Sequence, residues 1–143
     1  MANNRVNFSS KTIDILAKRV GFLCSNPNCK RHTIGPNANE EKTTSIGVAA
    51  HITAAAPLGP RYDANLTPDQ RIHIDNGIWL CYNCSTIIDK DSGMYPVELL
   101  VQWKSDAEAD MSHLDGDQGS YPSNQIQDCW PNRLVQTSIA RVQ

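Results

Sequence analysis

Two cysteine pairs, Cys24-x-x-x-x-Cys29 and Cys81-x-x-Cys84, lie about fifty residues apart in a chain of 143 residues. Four thiolates in two short-spaced pairs can close a tetrahedral zinc site, and a zinc knuckle of this kind can clasp a hairpin against a helix. That constraint ties the first third of the chain to its middle. Disulfide pairing is the alternative use of the same cysteines. Met-Ala-Asn-Asn-Arg-Val-Asn-Phe opens the chain without the apolar core of a secretory signal, so the expected address is the cytoplasm, where thiols stay reduced and bind metal.

Composition narrows the class further. Hydrophobic residues make up 40% and charged residues 20% of the chain, which excludes a disordered polymer, and no apolar run approaches the roughly 20 residues that span a bilayer. The net charge of −2 hides an asymmetry: residues 1 to 35 carry six basic side chains against the single acid Asp14, and the remainder carries seven basic against fourteen acidic. Either the basic end forms a face for a phosphate backbone, or its charges are ordinary solvated surface.

Local signals divide the chain into an expected domain at 1–112 and a polar tail or linker at 113–143. Ser9 or Ser10 caps a helix to about Val20, with Ile13, Leu16 and Val20 on one face and Gly21 as its stop. Ser-Asn-Pro-Asn between Cys24 and Cys29 reads as a metal-binding turn, and residues 35 to 43 read as an exposed loop. Ser45 to Ile52 and Ile78 to Leu80 are expected strands. Between them Thr67-Pro68-Asp69 signals the cap and first turn of a short helix. A helix is expected from Tyr82 to Asp91, placing Ser85 and Asp89 four apart on one face. Pro96 opens a last helix to about Asp110, with Leu99, Leu100, Trp103 and Ala107 as a core stripe. In the tail, Cys129 has no partner at metal-ligand spacing and reads as a bystander thiol.

The order Cys24/Cys29, Ala-His51-Ile, Asn76, Cys81/Cys84 and Asp89 resembles the HNH endonuclease family. The stretch from His51 through Gly-Pro-Arg61-Tyr62-Asp63, Arg71 and Asn76-Gly-Ile-Trp-Leu-Cys is particularly similar to HNH domains of bacterial antiphage effectors, often fused to a SAVED domain that senses a cyclic oligonucleotide. The resemblance covers roughly residues 10 to 110, and no region of SAVED size accompanies it. It implies an α+β fold: a ββα-metal hairpin and helix clasped by a four-cysteine zinc site, with flanking N- and C-terminal helices.

The resemblance also implies roles. His51 falls where the family's general base takes a proton from the attacking water, a task suited to an imidazole because its ordinary pKa is near neutral. Asn76 falls where the family's amide bonds the loop beside that histidine. Ser85 and Asp89 fall at the positions that face a divalent cation, Mg2+ or Mn2+. Two departures bear on that cation: Ala50 stands where a ligand often precedes the base, and Ser85 replaces an imidazole. Asp89 is then the one strong oxygen donor at a motif position, with Asp63, Asp75 or Asp91 as further candidates. Arg61 and Arg71 are candidate phosphate clamps, against the alternative of a surface or intramolecular salt bridge. The function so implied is metal-dependent hydrolysis of phosphodiester bonds in DNA, double-stranded and with low sequence specificity, in antiphage defence. The alternative is a weakened HNH-fold zinc module that binds nucleic acid or a partner protein. Control by a homo-oligomer, a sensor domain or a partner is expected, with the tail as a contact; Asn76 could also simply form a turn with Gly77, and Asp89 could be a plain helix-surface acid.

Overall fold

The structure is a computed structural model that describes residues 6 to 112. The chain divides into two units, Met1–Met111 and Ser112–Gln143. Cys129 and the expected tail contact lie outside the described residues. The first unit is mixed α and β, built from helices, two small antiparallel hairpins and a cluster of four cysteines.

Helix α1 spans Ser10–Arg19, and Ser9 caps it by accepting the Thr12 N–H at 3.1 Å. Gly21, at φ 59°, ends it in the left-handed conformation that favours glycine. Leu16, Ala17 and Val20 are its buried face, while Ile13 stays partly exposed. The sequence pattern underrates Ala17 because its side chain is small, yet it packs in one cluster with Val20, Trp79 and Ala107.

Residues expected to form a plain loop instead contain a hairpin. Strands β1 (Ile34–Pro36) and β2 (Thr43–Ser45) pair antiparallel, with Asn37 Nδ2 donating to Thr44 Oγ1 at 2.9 Å across the turn. The second hairpin positions the candidate site. Strand β3 (Gly47–His51) pairs antiparallel with β4 (Gly77–Cys81), so that His51 faces Gly77 and Gly47 faces Cys81. Between them the chain passes through a long loop and α2 (Pro68–Arg71), whose Thr67 and Gln70 bond reciprocally in a capping box. Helix α3 (Tyr82–Lys90) follows β4 without a break, and α4 (Val97–Asp110) starts at Pro96.

One core holds these elements together. Ile52, Ile78, Leu80, Ile88 and Leu100 are fully buried together with Cys24 and Cys81, and Cys84 is buried in the same cluster, so three of the four cysteines belong to the core itself. At roughly 1.5–3 kcal/mol for each large apolar side chain, these contacts supply the main driving force for α3 and α4 to close over the hairpin. A second patch joins Ala17 and Val20 of α1 to Trp79 and Ala107. Trp79 donates from Nε1 to Thr33 Oγ1 at 2.9 Å, anchoring the segment before β1 to β4.

Three of the six basic side chains of the N-terminal end have acidic partners within the described residues. Lys18 pairs with Asp14 at 2.8 Å, Arg19 with Glu108 at 2.8 Å and Lys30 with Asp110 at 2.9 Å. Two of these three acids come from α4, about eighty to ninety residues away, so charge counting along the sequence could not reveal the pairing. The Arg19 guanidinium holds the Glu108 carboxyl below its usual range, against the opposing effect of burial. A depressed carboxylate stabilises the fold above its unfolded pKa, and that contribution disappears as pH falls through the folded value. We therefore expect Glu108→Gln to lower the thermal midpoint at pH 7, by an effect under about 1 kcal/mol because Arg19 is half-exposed. The difference between variant and wild type should close at acid pH. A constant difference across pH would mean that the pair contributes through packing.

Candidate functional site

Two sites are built around the β3–β4 hairpin and α3, and the first is sulfur-rich. Cys24, Cys29, Cys81 and Cys84 bring their Sγ atoms within 4.8 Å of one another, and all four are free thiols. The turn before Cys29 is shaped by Asn26, whose Oδ1 accepts the Asn28 N–H at 3.0 Å and whose backbone carbonyl accepts the Cys29 N–H at 2.9 Å. Ser25 N–H donates to Trp79 O at 3.0 Å, tying this turn to β4. Cys81 is the N-cap of α3 and its sulfur accepts the Cys84 N–H at 3.4 Å; Asn26 Nδ2 donates to Cys84 Sγ at 3.4 Å.

This cluster fits a tetrahedral ion. Zinc–sulfur bonds of about 2.3 Å place neighbouring sulfurs about 3.8 Å apart, and Cys29 Sγ and Cys81 Sγ lie 3.9 Å apart. Burial pushes the Cys24 and Cys84 thiols up. The N–H donors reaching Cys81 and Cys84 are the kind of outer contacts that stabilise coordinated thiolates. The four cysteines could therefore hold a metal ion such as zinc.

The second site is a cleft of about 220 Å³ lined by β3, by small residues of the following loop and by α3. His51, Ser85 and Asp89 share it, together with Ala50, Ala54 and Gly59. Because Ser85 and Asp89 are one helical turn apart, α3 presents both toward the end of β3 where His51 sits. The His51 ring stacks on Phe8, with centroids 4.0 Å apart and planes inclined by 15°. Gly77 makes that stack possible: a Cβ there would lie 2.5 Å from Leu16 Cδ1 and 3.2 Å from Phe8 Cζ. Nothing local in the sequence marks Phe8, which precedes α1 and reaches the histidine only through the packing of that helix.

Asn76 holds the chain just after His51. Its Oδ1 accepts the Thr53 N–H at 2.9 Å, and its Nδ2 donates to Thr53 O and Arg71 O, both at 3.0 Å. Asn76 O also accepts the Ile52 N–H at 2.8 Å. From behind, Lys104 donates to Ile74 O and Gly77 O at 2.5 and 2.8 Å, bracing the residues on both sides of the asparagine. Burial pushes the Lys104 ammonium below its ordinary pKa.

Arg61 and Arg71 are turned inward. Arg61 donates from Nε to Ile52 O at 2.7 Å, from one terminal nitrogen to Ile88 O at 2.7 Å and from the other to Asp89 Oδ1 at 2.8 Å. Its side chain is 5% exposed, whereas that of Asp89 is 50% exposed. Arg71 donates to Tyr62 Oη at 2.9 Å and to Asp63 O at 3.2 Å, and its guanidinium lies 4.8 Å from the Tyr62 ring centroid. Arg61 thus makes an intramolecular salt bridge, whereas the partners of Arg71 are a hydroxyl, a backbone carbonyl and an aromatic ring. Asp63, Asp75 and Asp91 do not line the cleft. Asp63 Oδ1 accepts the Asn65 N–H at 2.9 Å, and Asp75 faces His73 at 3.4 Å.

No family model matches this sequence, and no curated protein matches it. Among the described residues, no helix is long and apolar enough to cross a membrane.

Proposed function

We propose that this chain is a metal-dependent HNH endonuclease that hydrolyses phosphodiester bonds in double-stranded DNA with low sequence specificity. The observation carrying this reading is the shared cleft: His51, Ser85 and Asp89, separated by up to 38 positions in sequence, line one cavity. The arrangement supports a ββα reading of β3, β4 and α3, with a zinc ion in the cysteine cluster as the clasp. In this mechanism His51 takes the proton from a water aligned opposite the departing 3′ oxygen. Phe8 holds one face of the imidazole, and Asn76 fixes the turn that sets its direction. Asp89 and Ser85 would hold Mg2+ or Mn2+, whose oxygen preference suits a carboxylate, a hydroxyl, waters and a substrate phosphate. When bound, that cation supplies charge neutralisation on the phosphate and on the leaving oxygen.

Bacterial antiphage defence in the cytoplasm is the proposed setting, with restraint by a sensor domain, a partner or self-association. A second reading has one specific observation in its favour. Asp89, the single carboxylate among the described residues lining the cleft, is already paired with Arg61, which suits a zinc-stabilised module that binds nucleic acid or protein without cutting.

Plasmid DNA incubated with the protein and Mg2+ or Mn2+ separates the two. Cutting that EDTA abolishes is expected; binding without cutting at any cation concentration sinks the nuclease reading. Ser85→His supplies a stronger donor beside Asp89 and should lower the cation concentration for half-maximal cutting by roughly tenfold. An unchanged requirement would show that this position does not reach the cation.

A further inference from the structure

We propose that Arg61 is a positioning residue: it fixes the Asp89 carboxylate and locks the end of the His51 strand to the helix that carries Asp89. This rests on the nuclease reading above. The basis is the distribution of its three donors. One reaches Ile52 O, the carbonyl immediately after His51; the second reaches Ile88 O, immediately before Asp89; the third reaches Asp89 Oδ1 itself. A single rigid guanidinium thus spans both sides of the cleft, a geometry that lysine's single ammonium cannot reproduce.

The backbone is bent to make this contact. Arg61 has φ 56°, a left-handed conformation that costs a non-glycine residue free energy and persists where surrounding contacts over-determine it. The loop carrying it is closed by Ala54 N–H to Pro60 O at 3.1 Å and Gly59 N–H to Ala56 O at 3.1 Å. A Cβ at Gly59 would lie 2.6 Å from Ala54 Cβ, so the loop closes tightly only because that side chain is absent. The result turns the guanidinium away from solvent, where a clamp for an incoming phosphate would need it, and toward the cleft's own components. Asp89 is half-exposed and would otherwise sample several rotamers. Its pairing with Arg61 selects one orientation and partly offsets the carboxylate charge that a cation would meet.

Positioning and phosphate clamping predict different kinetics. Arg61→Gln, Arg61→Lys, Asp89→Asn and the double variants are made in the full chain. Four quantities are compared: kcat and KM on a duplex oligonucleotide, half-saturation by Mn2+, duplex affinity against salt in EDTA, and the thermal midpoint. Arg61→Gln should lower kcat roughly 10- to 100-fold and shift the Mn2+ half-saturation, with duplex affinity and its salt slope unchanged. Arg61→Lys should recover only part of the loss. In the Asp89→Asn background either Arg61 variant should add little, because the residue through which Arg61 acts is already gone.

A salt slope reduced by about one with kcat intact would overturn the proposal in favour of a phosphate clamp. Equal fold losses in both backgrounds would overturn it in favour of a purely structural role. If Arg61→Gln fails to fold, Arg61→Lys carries the same cycle. A wild-type protein that never cuts removes the nuclease reading and this proposal together, whereas a cutting wild type with additive variants removes this proposal alone.

Discussion

Cys81→Ser, or stripping by a strong chelator, should abolish cooperative unfolding of this domain. The cysteine cluster is not an appendage: Cys24, Cys81 and Cys84 sit in the same buried cluster as Ile78, Leu80, Ile88 and Leu100. Cys81 also ends β4 and caps α3. Structural zinc in small domains contributes an apparent 10–16 kcal/mol, about as much as the whole stability of a typical domain at roughly 5–15 kcal/mol. Without the ion, the core would retain four close sulfurs, and Cys24 and Cys84 would remain as desolvated thiols. The turn at Asn26 and the start of α3 would lose the link that joins them. Elemental analysis should give one zinc per chain for wild type and for Cys129→Ser, and far less for Cys81→Ser. Circular dichroism should then show a broad thermal transition or none. An unchanged midpoint in metal-free protein would establish that packing alone holds the cluster.

The contrast between legible and hidden features follows the range of the interactions involved. Ser9, Thr67 and Gln70 act within one helical turn of their own helices, so the sequence displays both partners of each cap. Strand β3 is legible because β-branched and small residues run up to His51, while its pairing with β4 is what the family resemblance implies. Strand β2, by contrast, is exposed along its length and shows no apolar alternation. Its pairing depends on hydrogen bonds across the turn. The individual helices and strands thus follow from local pattern, while the exact extent of this hairpin does not.

The candidate site divides in the same way. Cysteine spacing marks a metal cluster because a turn of fixed length brings two sulfurs together. Arg61 and Arg71 are conspicuous by charge, but their directions depend on tertiary neighbours: Ile52, Ile88 and Asp89 for one, Tyr62 and Asp63 for the other. A guanidinium suited to bind phosphate is equally suited to bind carbonyls and a carboxylate. Only burial distinguishes the two uses. Phe8 is hidden for a related reason, since its stack on His51 requires α1, Gly77 and β3 to be in place at once.

On the proposed nuclease reading, His51→Ala should lower DNA cleavage by about 10²- to 10⁴-fold, the usual contribution of a positioned general base, while leaving duplex affinity unchanged. The substitution removes a half-buried ring from a stacked pair, so a modest fall in thermal midpoint is expected alongside the kinetic loss. Asn76→Ala should behave differently. It leaves the Thr53 N–H and the Thr53 and Arg71 carbonyls without their amide partner in a buried setting, at a cost of about 1–3 kcal/mol for each group left unsatisfied. That variant should lose stability and activity together, because the turn after His51 loosens. Comparing the two separates chemistry from scaffold. If His51→Ala cuts at the wild-type rate with its cation dependence intact, another group is the base and the cleft's histidine serves only to pack against Phe8.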